Sequence, residues 1–252
     1  RMLLLQKSMS EGSLSLILLA AKYYDLENTA ETDEEKYKYK TLLDMIIPVA
    51  KTYPSEAGNI SVSNGIQVLG GYGFCSDFIL QQYYRDIRIS SIYEGTSGIQ
   101  AQDLLGRKIT MDNGKGLELL SAEILKCISD ASKHQDLKSF ADTLSKKMEL
   151  TKRVLSKLMP LAMKGDYERY LADASVFMEF FSLIIVSWTW LDIGVKTCDH
   201  LEKNQYNNAL LKGKLEAMKY FFHYELPKTT GLSEILMNLS DVTIKKEEDF
   251  IN

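Results

Sequence analysis

Residues Phe180–Leu191 read FFSLIIVSWTWL, the most apolar run in a chain of 252 residues. Glu179 and Asp192 close it with a charge at either end. A bilayer span needs about 20 apolar residues, so the run is read as the buried core helix of a soluble fold and not as a stable membrane insertion. Helical periodicity dominates on both sides of it, which sets the fold class as all-α: one helical bundle followed by a second. A membrane-associating or ligand-binding bundle in the second half is the alternative that the same run motivates.

Composition agrees with this class. The chain has 4 Pro and 15 Gly, and 45% of its residues are hydrophobic, a balance favouring helix over sheet. A formal net charge of −4 with no basic, aromatic-interleaved patch argues against a nucleic-acid partner. Cys75, Cys127 and Cys198 are far apart and odd in number, fitting neither a disulfide framework nor a metal knuckle, so a reducing, cytoplasmic location is expected. His134, His200 and His223 lack a second ligand four residues on, so no metal site is expected. Met2–Leu5 is apolar, but Lys7, Ser8 and Glu11 soon interrupt it, unlike a signal peptide.

Working toward the N-terminus, Met2–Tyr24 predicts a long, well-buried helix, and the acidic stretch Asp25–Lys36 a solvated loop. Leu42, Leu43, Ile46, Ile47 and Ala50 form a helical stripe in Tyr37–Tyr53, with a kink or break expected at Pro48. After Pro54 a separate helix should carry Val62, Ile66 and Leu69 on one face and the small or polar Ser61, Ser63, Asn64 and Gly65 elsewhere. It ends in GGYGF, where Gly70 and Gly71 can supply a left-handed stop. Phe78–Tyr84 is ambiguous, and no other stretch suggests a strand. Ser97 and Gln100 have capping-box spacing at the start of another helix. The polar DNGKG at Asp112–Gly116 is the best boundary, dividing the chain into 1–111 and 112–252. Beyond it, 117–165, 166–203 and Ala209–Tyr224 read as amphipathic helices, and the charged tail after Ile244 as frayed.

Three stretches carry candidate chemistry. LGGYGF, Leu69–Phe74, is either a helix stop or a turn whose amides meet a phosphate; it lacks the strand and spacing of a dinucleotide fingerprint. Arg85, Asp86 and Arg88 suggest an ion pair that positions the loop after them. Glu94, in Tyr93–Glu94–Gly95–Thr96, stands before a helix, where it either compensates the helix dipole or acts as a general base. Ile89, Ile92, Tyr93 and Ile99 would surround its carboxylate with apolar groups and desolvate it.

QVLGGYGF (Gln67–Phe74) followed by YRDIRISSIYEGTSGIQAQDLLGRK (Tyr84–Lys108) resembles the C-terminal helical domain of the flavin-dependent acyl-CoA dehydrogenases. Both motifs and their interval match, and the spelling is similar to the long bacterial subgroup, which carries an additional C-terminal helical domain. The resemblance implies α,β-dehydrogenation of an acyl-CoA substrate, with FAD as cofactor and an electron-transferring flavoprotein as electron acceptor. It implies that Glu94 is the base taking the pro-R α-proton, that its backbone amide binds the thioester carbonyl, and that Tyr93 and Gly95 line the acyl-CoA channel. Gln67, Gly70 and Gly71 would contact the adenosine-diphosphate part of FAD from the partner subunit of a homodimer, and Thr96 its pyrophosphate and ribose. Gly98 departs from the polar residue, often Gln, of many members, so no FAD contact is expected there; some subfamilies also place the base on a different helix.

The resemblance covers nearly all of this chain but about the C-terminal half of such an enzyme. A fragment, an isolated domain or a truncated reading frame is therefore expected, one that would not oxidise acyl-CoA by itself. The competing reading is a helical module that has lost catalysis and serves dimerisation or partner docking.

Overall fold

A computed structural model describes residues 1–203 and 208–245, and among them there is no strand. Of the tail expected to fray, Lys245–Asp249, all but Lys245 lies outside the described residues. The chain opens with α1 (Met2–Asn28) and α2 (Asp33–Leu69), a helical hairpin joined through residues 29–32. The connection is shorter than the acidic run suggests because Thr32 caps α2. Its side chain accepts the Glu35 amide at 3.2 Å, and Asp33, Glu34 and Glu35 face the positive end of the helix.

α2 also runs unbroken through Pro48 and Pro54, where a kink and a new helix are expected from sequence. An interior proline costs about 3 kcal/mol or more. Here Pro48 is buried among Met45, Ile46 and Val49, all fully enclosed, and that burial offsets the lost amide bond. Of the stripe read on α2, Leu42 and Ile46 are enclosed, whereas Ile47 is exposed. α1 differs more: Leu16 and Tyr23 are buried, but Leu3, Leu14, Ile17 and Leu18 are exposed. Only one stripe of α1 meets the rest of the chain.

After a single turn, α3 (Gly71–Phe74), the chain continues through α4 (Leu80–Arg88), the segment left ambiguous by its sequence, and α5 (Ser97–Asp103). A five-residue π turn, Leu104–Lys108, follows. Its wider spacing directs Lys108 to Asp44 on α2 at 2.5 Å and leaves the Leu105 carbonyl to accept the Tyr170 hydroxyl at 2.8 Å. Burial pushes that hydroxyl up to about 12. Asp112, Asn113 and Gly114 then take left-handed backbone angles within the DNGKG stretch.

The second half holds α6 (Lys115–Ala131), α7 (Lys138–Met163), the short α8 (Tyr167–Leu171), α9 (Ala174–Glu202), α10 (Asn208–Tyr220) and α11 (Thr229–Asn238). All of Phe180–Leu191 is buried within α9, which packs against α1, α2, α5, α6, α7, α10 and α11. α9 is long and apolar enough to cross a membrane, yet 83% of its most apolar window is buried inside the protein. Its polar residues stay within the helix: Ser187 donates to the Leu183 carbonyl at 2.7 Å and Thr189 to that of Val186 at 3.0 Å. One hydrophobic cluster extends from Met9 to Leu236 and spans both sides of the DNGKG stretch.

Where α9 packs on α1, the Trp190 indole N–H donates to the Ser8 carbonyl at 3.2 Å. A Cβ on Gly12 would lie 2.8 Å from Trp190 Nε1 and 2.9 Å from Val186 Cγ1. Helix propensity favours Gly12→Ala by about 1 kcal/mol, whereas overpacking costs about 1–3 kcal/mol. We therefore expect Gly12→Ala to lower the urea midpoint and Gly12→Val to lower it further. A stabilised Gly12→Ala would show that the tryptophan moves aside freely.

Burial, then Asp192 and Asp130, pushes the Cys127 thiol up to about 12, and burial beside Asp136, Glu202 and Asp199 raises that of Cys198. The Cys127 thiol therefore stays protonated, hence unreactive, at pH 8.5, while Cys75 is exposed. Iodoacetamide at that pH should label Cys75 first, with Cys127 reacting only on unfolding. Equal labelling of Cys75 and Cys127 in the native protein would contradict this.

Candidate active site

The loop from α4 to α5 contains the motif Tyr93–Thr96. Its entry is a tight turn at Ile89–Ser91, and its exit is the start of α5. Thr96, and not Ser97, caps that helix: Thr96 is extended at ψ 159°, and its hydroxyl oxygen accepts the Ile99 amide at 3.2 Å. The expected box is thus replaced by a single cap one residue earlier, since Ile99 has no polar side chain to return the bond. Ser97 is left free to donate its hydroxyl to Glu56 Oε1 on α2, at 2.5 Å. Gln100 Nε2 instead lies 3.5 Å from the Glu94 carbonyl, a weak contact.

Glu94 has φ 53° and Gly95 φ 86°, two successive left-handed residues. For a residue with a side chain this costs about 1–3 kcal/mol and persists only where the surroundings over-determine it. A Cβ on Gly95 would lie 2.7 Å from Gln100 Nε2, a contact that the flexible glutamine can relieve, so the backbone angle is what calls for glycine here. α2 supplies much of the determination. Lys51 Nζ donates to the Ser90 carbonyl at 2.9 Å, and Asn59 Nδ2 to Ser91 Oγ at 3.2 Å. Glu56 holds Ser97 from the same helix.

These α2 residues are missing from the sequence reading because Pro54 splits the helix there. Taken as one helix, Lys51 and Asn59 fall two turns apart on one face, with Glu56 three residues before Asn59.

The apolar enclosure expected around Glu94 is not formed within the chain. Glu94 is exposed, as are Ile89, Ile92, Tyr93 and Ile99, because among the described residues no helix covers that side of the loop. Nor does an ion pair at Arg85, Asp86 or Arg88 position the loop. All three are exposed and, among the described residues, none forms an ion pair; α2 does this work with hydrogen bonds.

Behind the clamp is a cavity of about 360 Å³ bordered by Met9, Thr52, Tyr53, Glu56, Ser97 and Glu225. The Thr52 and Tyr53 hydroxyls are buried there without a hydrogen-bond partner. Burial, then the Glu225 carboxylate, holds the Tyr53 hydroxyl above its ordinary range.

The glycine motif has a different logic. Gly70 takes φ 59° and ψ −140°, a glycine conformation, and its amide donates to the Gln67 carbonyl at 3.2 Å. A Cβ on Gly73 would lie 2.5 Å from the Ile66 carbonyl oxygen, so this turn must press directly on α2. Gly71 does not share the left-handed conformation, and nothing lies within 4 Å of the position of its Cβ. Gln67, Tyr72 and Phe74 are exposed around it. The amides of Gly70, Gly73 and Cys75 all bond within the turn, which removes them from the phosphate contact considered for this motif.

The structure groups Tyr93, Glu94, Gly95 and Thr96, but separates them from Gln67, Gly70 and Gly71. From Glu56, opposite the first group, to Gly70 is about 20 Å along α2 at 1.5 Å per residue.

Replacing Glu94 by glycine relieves the left-handed strain but adds chain entropy to the unfolded state, by about 0.5–1 kcal/mol. Glu94→Gly should therefore unfold at the same denaturant concentration as the parent chain or higher, although it removes the one carboxylate in the motif. A stability loss above about 1 kcal/mol would mean that the left-handed backbone at this position carries little strain.

Residues 13–109 match the family described as acyl-CoA dehydrogenase, C-terminal domain. Residues 120–246 match that described as acetyl-CoA dehydrogenase C-terminal like. A butyryl-CoA dehydrogenase of Syntrophomonas wolfei is 28% identical over 100% of this chain and 41% of its own length. The broad-specificity linear acyl-CoA dehydrogenase FadE5 of Mycobacterium tuberculosis is 29% identical over 98% of this chain and 42% of its own. The chain thus spans about two fifths of the length of these curated relatives. The crystal structure of Caenorhabditis elegans ACDH-11 in complex with C11-CoA superposes with a TM-score of 0.64 over 92% of this chain and 38% of that one. At 19% identity it establishes the shared fold.

Proposed function

The chain belongs to the acyl-CoA dehydrogenase family, and from that premise we propose that it carries the catalytic base of an FAD-dependent enzyme converting an acyl-CoA thioester to the trans-2-enoyl-CoA. The observation that carries this reading is Glu94 itself, a carboxylate held in left-handed backbone on a loop clamped from α2. Strain kept at one acidic residue, on an otherwise unremarkable surface loop, fits a position selected for chemistry over stability.

In this reading the Glu94 carboxylate accepts the α-proton, which the thioester carbonyl acidifies. The Glu94 backbone amide donates to that carbonyl, stabilising the enolate-like charge as the proton leaves. Tyr93 and Gly95 border the acyl-CoA. Substrate laid over the exposed Ile89, Ile92, Tyr93 and Ile99 would exclude water from the carboxylate, completing the enclosure that the chain leaves open.

Bound FAD would supply the acceptor for the β-hydride. Gln67, Gly70 and Gly71 would border its adenosine-diphosphate part across a homodimer interface, Gln67 through its side chain and the glycines by leaving room for it, in keeping with their distance from Glu94. The open space at Gly71 and the exposure of Gln67 suit a ligand approaching from outside the chain. Thr96 suits a polar contact, because its hydroxyl oxygen accepts the Ile99 amide while its hydrogen remains free to donate. Electrons would pass to an electron-transferring flavoprotein.

In the full-length holoenzyme, acyl-CoA should bleach the flavin, and Glu94→Gln should slow bleaching by about 10²–10⁴-fold, the contribution of a general base. Unchanged bleaching would remove Glu94 from the mechanism. Gly71→Ala tests the cofactor contact separately. It should leave unfolding of this chain within about 0.5 kcal/mol of the parent but raise the FAD dissociation constant of the holoenzyme, and unaltered flavin retention would exclude that contact.

A further inference from the structure

We propose that Glu56 is a positioning residue for the reaction, acting through Ser97 to hold Glu94 in its productive backbone conformation. This rests on the reading of Glu94 as the base. Glu56 lies on α2, in the element that also fixes Ser90 and Ser91 through Lys51 and Asn59. Those two contacts secure the entry to the loop. The exit is secured by the Ser97 hydroxyl donating to Glu56 Oε1 at 2.5 Å, three residues beyond Glu94.

Between the anchors stand the two left-handed residues, Glu94 and Gly95. A strained pair relaxes when either flanking anchor is released, and a change of sign in φ at residue 94 would swing its carboxylate away. Glu56 is also exposed, so its bond to Ser97 adds little to burial of the core. A carboxylate acceptor makes a shorter, stronger bond to a hydroxyl than an amide oxygen does. Glutamine at position 56 would keep the geometry and lose part of the strength.

The test uses the full-length holoenzyme, saturated with FAD, and measures kcat and KM for an acyl-CoA. Glu56→Ala should lower kcat about tenfold with KM and thermal midpoint nearly unchanged, and Glu56→Gln should restore kcat to within about threefold of the parent. Ser97→Ala should reproduce the loss, and the double variant should be no slower than the slower single variant, because both remove one contact. Unchanged kcat in Glu56→Ala would overturn the proposal. So would single-variant losses that multiply in the double variant, or a rate loss explained by unfolding below the assay temperature. Glu94→Gln, assayed beside them, keeps the two ideas apart. If it bleaches flavin normally, the base assignment fails. If it is inactive while Glu56→Ala is unimpaired, the base assignment stands and the positioning role fails.

Discussion

The indole of Trp190 against Gly12 is the contact on which the arrangement turns. An indole ring fits between α1 and α9 only where one helix lacks a side chain, and the bond to the Ser8 carbonyl then sets the ring's height along α1. Through it the core helix of the second half is registered on the first helix of the first half. α1 in turn forms the hairpin with α2, and α2 carries Lys51, Glu56 and Asn59 to the loop that presents Glu94. Tertiary contacts far from the loop therefore reach it through a single rigid rod.

That rod is continuous because burial outweighs local preference. Two prolines inside α2 disfavour a helix, and an isolated peptide of this sequence would break at them. Enclosure of Met45, Ile46, Pro48 and Val49 reverses the balance. The loop shows the opposite relation, for its strain is local and its restraints are a few polar bonds at a surface. Such a site holds its shape without a core of its own, and leaves its apolar rim facing outward.

Sequence and structure agree most where a signal depends on a residue's own backbone or on simple hydrophobicity. FFSLIIVSWTWL is legible as a core helix because the run, closed by Glu179 and Asp192, is too short for a bilayer and too apolar for a surface. Gly70 is legible as a helix stop because its conformation excludes side chains. The disagreements share a cause, namely that a distant partner decides. Pro48 and Pro54 fail to break α2 because of helices that pack on it. The cap falls on Thr96 because Ser97 has Glu56, 41 positions away, to bond instead. Arg85 and Asp86 invite an ion pair by adjacency, yet the loop is anchored from α2. Glu94 is recognisable through its motif, whereas the clamp around it is invisible until α2 is known to be one helix.

The π turn at Leu104–Lys108 has a consequence for how the halves are aimed. An α-helix advances about 100° per residue, so one residue too many in a turn rotates everything downstream by that amount. Here the surplus is used on both sides of the chain at once: Lys108 reaches back to Asp44, and the Leu105 carbonyl receives Tyr170. Orientation of the second half is thereby set in whole-residue steps. An insertion or deletion inside these five residues would re-aim it, whereas a substitution that keeps their number leaves the heading intact.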